Sequence, residues 1–246
     1  MNKRNGDSSG FSLIEILVVI VIIGVLFAVA LAVFENAGRK NAQQAAEQLI
    51  GSMRLARQHA VSARQWTFVV FPNRDGGAYA AADVGKCLRG YAVLAVQNNM
   101  DGLAPAAQIP ANMDLAFVAD WKTLPEGVYF DDDAALSGNY TFGALHGGQT
   151  TYAGVFQFPL DPANPNQLVR PMGAVLFRPN GRAYVMHDGN PNGNFWQDVE
   201  GSKIYVTSEK HYDQAGGTLT GPTPIPGTKA AVQIGNKTGQ VKLWTP

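Results

Sequence analysis

The 246-residue chain carries 19 basic and 19 acidic side chains, with 46% hydrophobic and 15% charged residues. The charges cancel, so no global field would hold a polyanion, and a dedicated nucleic-acid binder is not expected. Cys87 is the single cysteine, which excludes an intrachain disulfide and a zinc site built from several thiolates; a small buried apolar residue is its plainest role.

The chain opens on a short polar stretch containing Lys3 and Arg4, then runs FSLIEILVVIVIIGVLFAVALAVF over residues 11–34. Glu15 is the one charge in that run. About 20 apolar residues rising 1.5 Å each cross the hydrocarbon core of a bilayer. Lys3 and Arg4 place the N-terminus on the cytoplasmic side and the bulk of the chain outside, although Arg39 and Lys40 on the far flank weaken the bias. A cleaved signal peptide would use the small residues at Ala28-Val29-Ala30 or Ala30-Leu31-Ala32. Against it, the apolar run exceeds the usual signal-peptide core. Neither a signal peptide nor a plain anchor has a use for Glu15, whose charge is costly inside a spanning helix.

Gly10-Phe11-Ser12-Leu13-Ile14-Glu15, behind the basic leader and ahead of the apolar run, resembles the processing signal of type IV pilins and pseudopilins. In that family a membrane aspartyl peptidase cuts after the glycine and methylates the new amine. The resemblance implies cleavage between Gly10 and Phe11, N-methylation of Phe11, and an assembly role for Glu15 facing Phe11 of a neighbouring subunit. The physics is compatible: glycine leaves the backbone at the cut unobstructed, and the new ammonium gives a carboxylate in low dielectric its counter-charge.

Beyond the apolar run the pattern stays helical but becomes amphipathic. Ala42, Ala45, Ala46, Leu49, Met53, Ala56 and Ala60 recur at three- and four-residue steps, with Arg54, Arg57 and Gln58 on other faces. No proline precedes Pro72, so one helix is expected over residues 11–64. From Gln65 the pattern turns strand-like. Strands are expected at Trp66–Phe71, Gly90–Gln97, Val128–Phe130, Val155–Phe158, Gly173–Arg178, Arg182–His187, Lys203–Thr207, Ala230–Ile234 and Gln240–Trp244. Asn180-Gly181 marks a hairpin turn, while Asn98–Asn112 and Asp188–Asp198 read as loops or insertions. The segment Gln43–Phe71, together with Leu176-Phe177-Arg178-Pro179-Asn180-Gly181-Arg182 and Thr238-Gly239-Gln240-Val241, resembles H-type minor pseudopilins of type II secretion and FimT-like minor pilins.

Catalytic signatures are missing: there is no G-x-S-x-G elbow, no H-E-x-x-H pair and no phosphate loop at Gly85-Lys86-Cys87. The histidines His59, His146, His187 and His211 are scattered, and each reads as a surface or hydrogen-bonded residue. Asp188, Asn190 and Asn192 alternate ahead of Gly193 as in a calcium loop, but the twelfth position is Val199. An Asn/Gly-rich turn is the favoured reading, with calcium the minor one and no cofactor expected. Asp131-Asp132-Asp133 reads as a solvated acidic turn. Asn139-Tyr140-Thr141 and Asn236-Lys237-Thr238 fit the glycosylation pattern, which says little in a prokaryote. Trp66, Trp121 and Trp244 read as core or sheet-face residues, and Trp196 as a contact residue inside a polar loop.

The expected fold class is α+β: a long N-terminal transmembrane and amphipathic helix packed on a β-rich, antiparallel, pilin-like head. Residues 1–10 would be the leader, 11–64 the helix (spanning the membrane at about 13–34), and 65–246 the head outside the cytoplasm. The resemblance implies a minor pseudopilin or pilin subunit of the inner membrane. Its partners would be a prepilin peptidase, other pilin-like subunits and an inner-membrane assembly platform. It would not be an enzyme. The alternative is a membrane-tethered periplasmic binding or enzymatic domain.

Overall fold

The computed structural model describes residues 13–72, 84–97, 114–131, 157–165, 168–186, 196–198, 203–215, 218–225, 227–235 and 238–244. A single helix, α1, covers Leu13–Ala63, 51 residues and about 75 Å at 1.5 Å per residue. Strands follow in the order β1 Thr67–Phe71, β2 Gly90–Val96, β3 Leu115–Thr123, β4 Tyr129–Phe130, β5 Gln157–Pro159, β6 Leu168–Pro171 and β7 Gly173–Phe177. They continue as β8 Ala183–Met186, β9 Trp196–Asp198, β10 Lys203–Thr207, β11 Lys210–Ala215, β12 Thr218–Pro224, β13 Lys229–Ile234 and β14 Val241–Trp244. Every described strand pair is antiparallel. The class is α+β, as the sequence predicts.

The predicted helix face is the buried one. Ala42, Ala45, Ala46, Leu49, Met53, Ala56 and Ala60 are all at most 1% exposed. Five of these are alanines, so the backbone can approach the sheets closely, while Leu49, Ile50 and Met53 supply the larger apolar burial, about 1.5–3 kcal/mol each. The helix stops where Arg64 takes a left-handed φ of 54°, the usual geometry just past a helix C-terminus. His59 Nδ1 lies 3.3 Å from Thr67 Oγ1 and so ties the last turn to the start of β1.

A six-stranded sheet, order β3-β2-β1-β7-β8-β9, has β1 near its middle. Side chains alternate across a strand, so β1 feeds two cores at once. Val69 and Phe71 join the core beneath α1, whereas Phe68 and Val70 join a second core with Leu94, Phe158, Met172 and Leu176 on the other face. All five β1 residues are therefore buried. Cys87 sits in that second core as a buried thiol, in keeping with its apolar reading.

A four-stranded sheet, order β14-β13-β10-β4, closes the first core from the other side. Ile204, Val206, Val232, Ile234 and Val241 meet α1 there. The two sheets join at β4, whose Phe130 N–H donates to Leu88 C=O at 2.7 Å, and whose ring packs edge-on to Phe71 at 5.2 Å and Tyr91 at 6.3 Å.

The expected strands recur with ends shifted by a residue or two. Five were not foreseen: β3, β6, β9, β11 and β12. The reading of Asp188–Asp198 as a loop is corrected at its end, because Trp196–Asp198 pairs with β8 as an edge strand. Trp196 is thus a strand residue opposite Met186, a place its aromatic β-propensity suits. The hairpin β11–β12 prolongs the β10–β13 ladder beyond an irregularity. Ser208 N–H donates to Thr228 C=O at 3.0 Å and Ile225 N–H to Glu209 C=O at 2.9 Å across the junction.

Candidate assembly surface

Helix α1 has two halves of opposite character. In the half that meets the head, one face is buried and the other is polar. In the first part, every large apolar side chain from Leu13 to Phe27 is between 48% and 85% exposed. Successive residues on a helix are turned by about 100°, so this exposure covers all sides and forms no single stripe. Leaving such side chains in water forgoes about 1.5–3 kcal/mol apiece.

Glu15 lies in the first turn of α1, where the positive end of the helix dipole favours a carboxylate. Gly10 and Phe11 lie outside the described residues, as do Asp188, Asn190 and Asn192, both glycosylation patterns in part or whole, His146 and His187. Within α1 the side chains of residues 28–40 are also outside the described set. Among the described residues, no helix is long and apolar enough to cross a membrane.

No group of three or more His, Cys, Asp or Glu that could hold a metal occurs among the described residues. The acidic turn needs correction at its first member. Asp131 is buried at 3% exposure instead of solvated, and its Oδ2 lies 3.3 Å from Lys229 Nζ. That contact is an ion pair whose alignment falls short of a hydrogen bond. Lys229 also reaches Glu209 at 3.3 Å. Burial pushes the Lys229 pKa down, but the two carboxylates outweigh it and hold the ammonium above its ordinary value. A protein cation therefore sits between Asp131 and Glu209. Sequence reasoning missed this trio because its members are spread over three strand ends.

The remaining aromatics follow expectation in the main. Trp66 is buried, Trp121 packs against the second core and donates from Nε1 to Leu160 C=O at 2.8 Å, and Trp244 lies on a sheet face beneath Lys203 Nζ at 3.4 Å.

Residues 5–31 match a family model described as the prokaryotic N-terminal methylation motif. The matched stretch contains Gly10, Phe11 and Glu15 and runs into the exposed apolar helix. It supports a pilin-type subunit processed at its N-terminus by a peptidase and assembled with other pilin-type subunits. No curated protein and no solved structure matches the chain.

Proposed function

We propose that this chain is a minor pseudopilin of a type II secretion system, or a closely similar minor pilin, and acts as a structural subunit without chemistry of its own. The observation that carries this reading is a conjunction: the methylation motif at residues 5–31 leads directly into a helix whose apolar side chains are exposed on every side.

The precursor inserts with its N-terminus cytoplasmic and its head outside the inner membrane. A prepilin peptidase cuts after Gly10 and methylates Phe11. Lipid first covers the apolar segment and neighbouring helices then replace it, as an inner-membrane platform draws the subunit into a filament. Glu15 supplies the counter-charge to the amine of the adjoining subunit. In an apolar setting that pairing is strongly favoured over two isolated charges.

Two measurements test the proposal. N-terminal mass spectrometry after coexpression with a prepilin peptidase should find a mature chain starting at N-methyl-Phe11. A start at Leu31 or Val33 would instead indicate conventional signal peptidase and end the filament reading. Glu15→Leu should insert and be cleaved normally, yet lose crosslinking to other pilin-like subunits. Crosslinking at wild-type levels would remove the assembly role of the charge.

A further inference from the structure

Two turns from different sheets meet beside α1. The first joins β7 to β8: Gly181 N–H donates to Arg178 C=O at 2.8 Å, and Arg178 N–H to Arg182 C=O at 3.0 Å. This is a three-residue hairpin loop with Gly181 in the left-handed region at φ 78°, a longer form than the two-residue turn that Asn-Gly suggests. The second joins β13 to β14: Gly235 N–H donates to Gln240 C=O at 2.8 Å, and Gly239 N–H to Gly235 C=O at 2.9 Å. Gly239 also has a left-handed φ, 59°.

The turns are pressed together. A Cβ at Gly239 would lie 2.2 Å from Gly181 O, closer than any side chain could be accommodated. One side chain of the helix serves both. Arg57 Nε donates to Thr238 C=O at 2.7 Å and to Gly181 C=O at 3.4 Å. Arg54, one turn earlier, reaches only the four-stranded sheet, with its Nη2 donating to Val241 C=O at 3.3 Å.

We infer that Arg57 is a clasp that couples α1 to both sheets at a single point and fixes the angle at which the rod meets the head. The sequence singles out both turns, Leu176–Arg182 and Thr238–Val241, without a reason for their company; the clasp is that reason. The six-stranded and four-stranded sheets are separate hydrogen-bonded units, and α1 packs on strands of both. A guanidinium shared by two carbonyls gives this joint a fixed direction that apolar packing alone does not, because its planar donors have a set geometry. The coupling stands whatever the chain assembles with.

Hydrogen exchange on the full chain in detergent micelles tests the clasp through four amides, those of Arg178, Gly181, Gly235 and Gly239. A charge-assisted hydrogen bond lost at a shared joint corresponds to about tenfold or more in local opening. Arg57→Gln should therefore accelerate exchange at both turns by about tenfold, while Phe68 to Val70 in the sheet centre keep wild-type protection. Arg54→Gln should loosen Gly235 and Gly239 alone. Gly239→Ala, whose Cβ would meet Gly181 O and crowd Arg57 Cδ and Nε at 3.2 Å, should loosen both turns as Arg57→Gln does. The inference fails if Arg57→Gln leaves either turn at its wild-type rate, or if exchange rises equally throughout the head.

Discussion

Replacing Lys229 with methionine keeps most of the side chain's length and removes its ammonium. The Asp131 carboxylate left behind has a side chain only 1% exposed. Removing one partner of a fully buried ion pair costs about 3–5 kcal/mol, because the other charge stays desolvated. Here the side chains of Lys229 and Glu209 keep 25% and 37% of their surface in solvent. Water therefore screens part of the interaction, and about 2 kcal/mol is the expected loss. For a domain of this size that lowers Tm by about 4–8 °C. The assay is thermal and urea denaturation at pH 7, with Asp131→Asn added to the variant as the second arm. If the cost is the loss of the carboxylate's counter-charge, the double variant should regain more than half of the lost stability. A loss below about 0.5 kcal/mol, the range of an ordinary surface substitution, would refute the reasoning. So would a double variant no more stable than Lys229→Met alone.

Stability should also fall in alkali. Lys229 is held above its ordinary 10.5, and burial raises the Tyr91 phenol above 10.0, partly offset by the neighbouring Ser52 hydroxyl. Both groups bind their protons more tightly folded than unfolded, so their contribution is complete below about pH 10 and is lost as pH climbs through the folded values. Tm measured from pH 8 to 11 should drop at the upper end, and Tyr91→Phe or Lys229→Met should each flatten that drop. Arg64→Gly should stabilise the head by about 1 kcal/mol, or about 2–4 °C, since the left-handed φ at this site penalises a side chain; an unchanged or lower Tm counts against this. A chain starting near Arg39 should be soluble and monomeric by light scattering, with mixed helix and strand in its circular dichroism. Chelation should leave its Tm unchanged, and a fall of several degrees would make the Asp188 loop the first suspect for calcium.

The helix was legible because its two signals are strong: an apolar run broken by one charge, Glu15, then alanines at three- and four-residue steps. Central strands such as β1 and β7 were legible as short apolar runs bounded by breakers. The overlooked strands share a different chemistry. In β3, Asp120 and Lys122 face solvent at a sheet edge, where packing no longer selects β-branched residues. In β12, Gly221, Pro222 and Pro224 read as breakers, yet an edge strand tolerates proline because its outward N–H groups lack a ladder partner. The processing motif was recognisable by its resemblance to that of type IV pilins, because its residues are contiguous in the chain. Arg57 and Lys229 were not, because their partners lie far along the chain and only the tertiary fold brings them together.

The docking face of α1 carries a consequence for the order of events during synthesis. The helix leaves the ribosome first, but its apolar face packs on β1, β2 and β7 and also on β10, β13 and β14. The bond from Arg54 to Val241 closes a separation of 187 residues. Such contacts carry a high loop-closure cost and form late. Until β13 and β14 have been made, half of the groove that receives Leu49, Ile50 and Met53 does not exist. The nascent chain must therefore carry a half-covered amphipathic helix until those strands have been made. A chaperone that binds apolar helices has its opportunity here, and the making of β14 is what ends it.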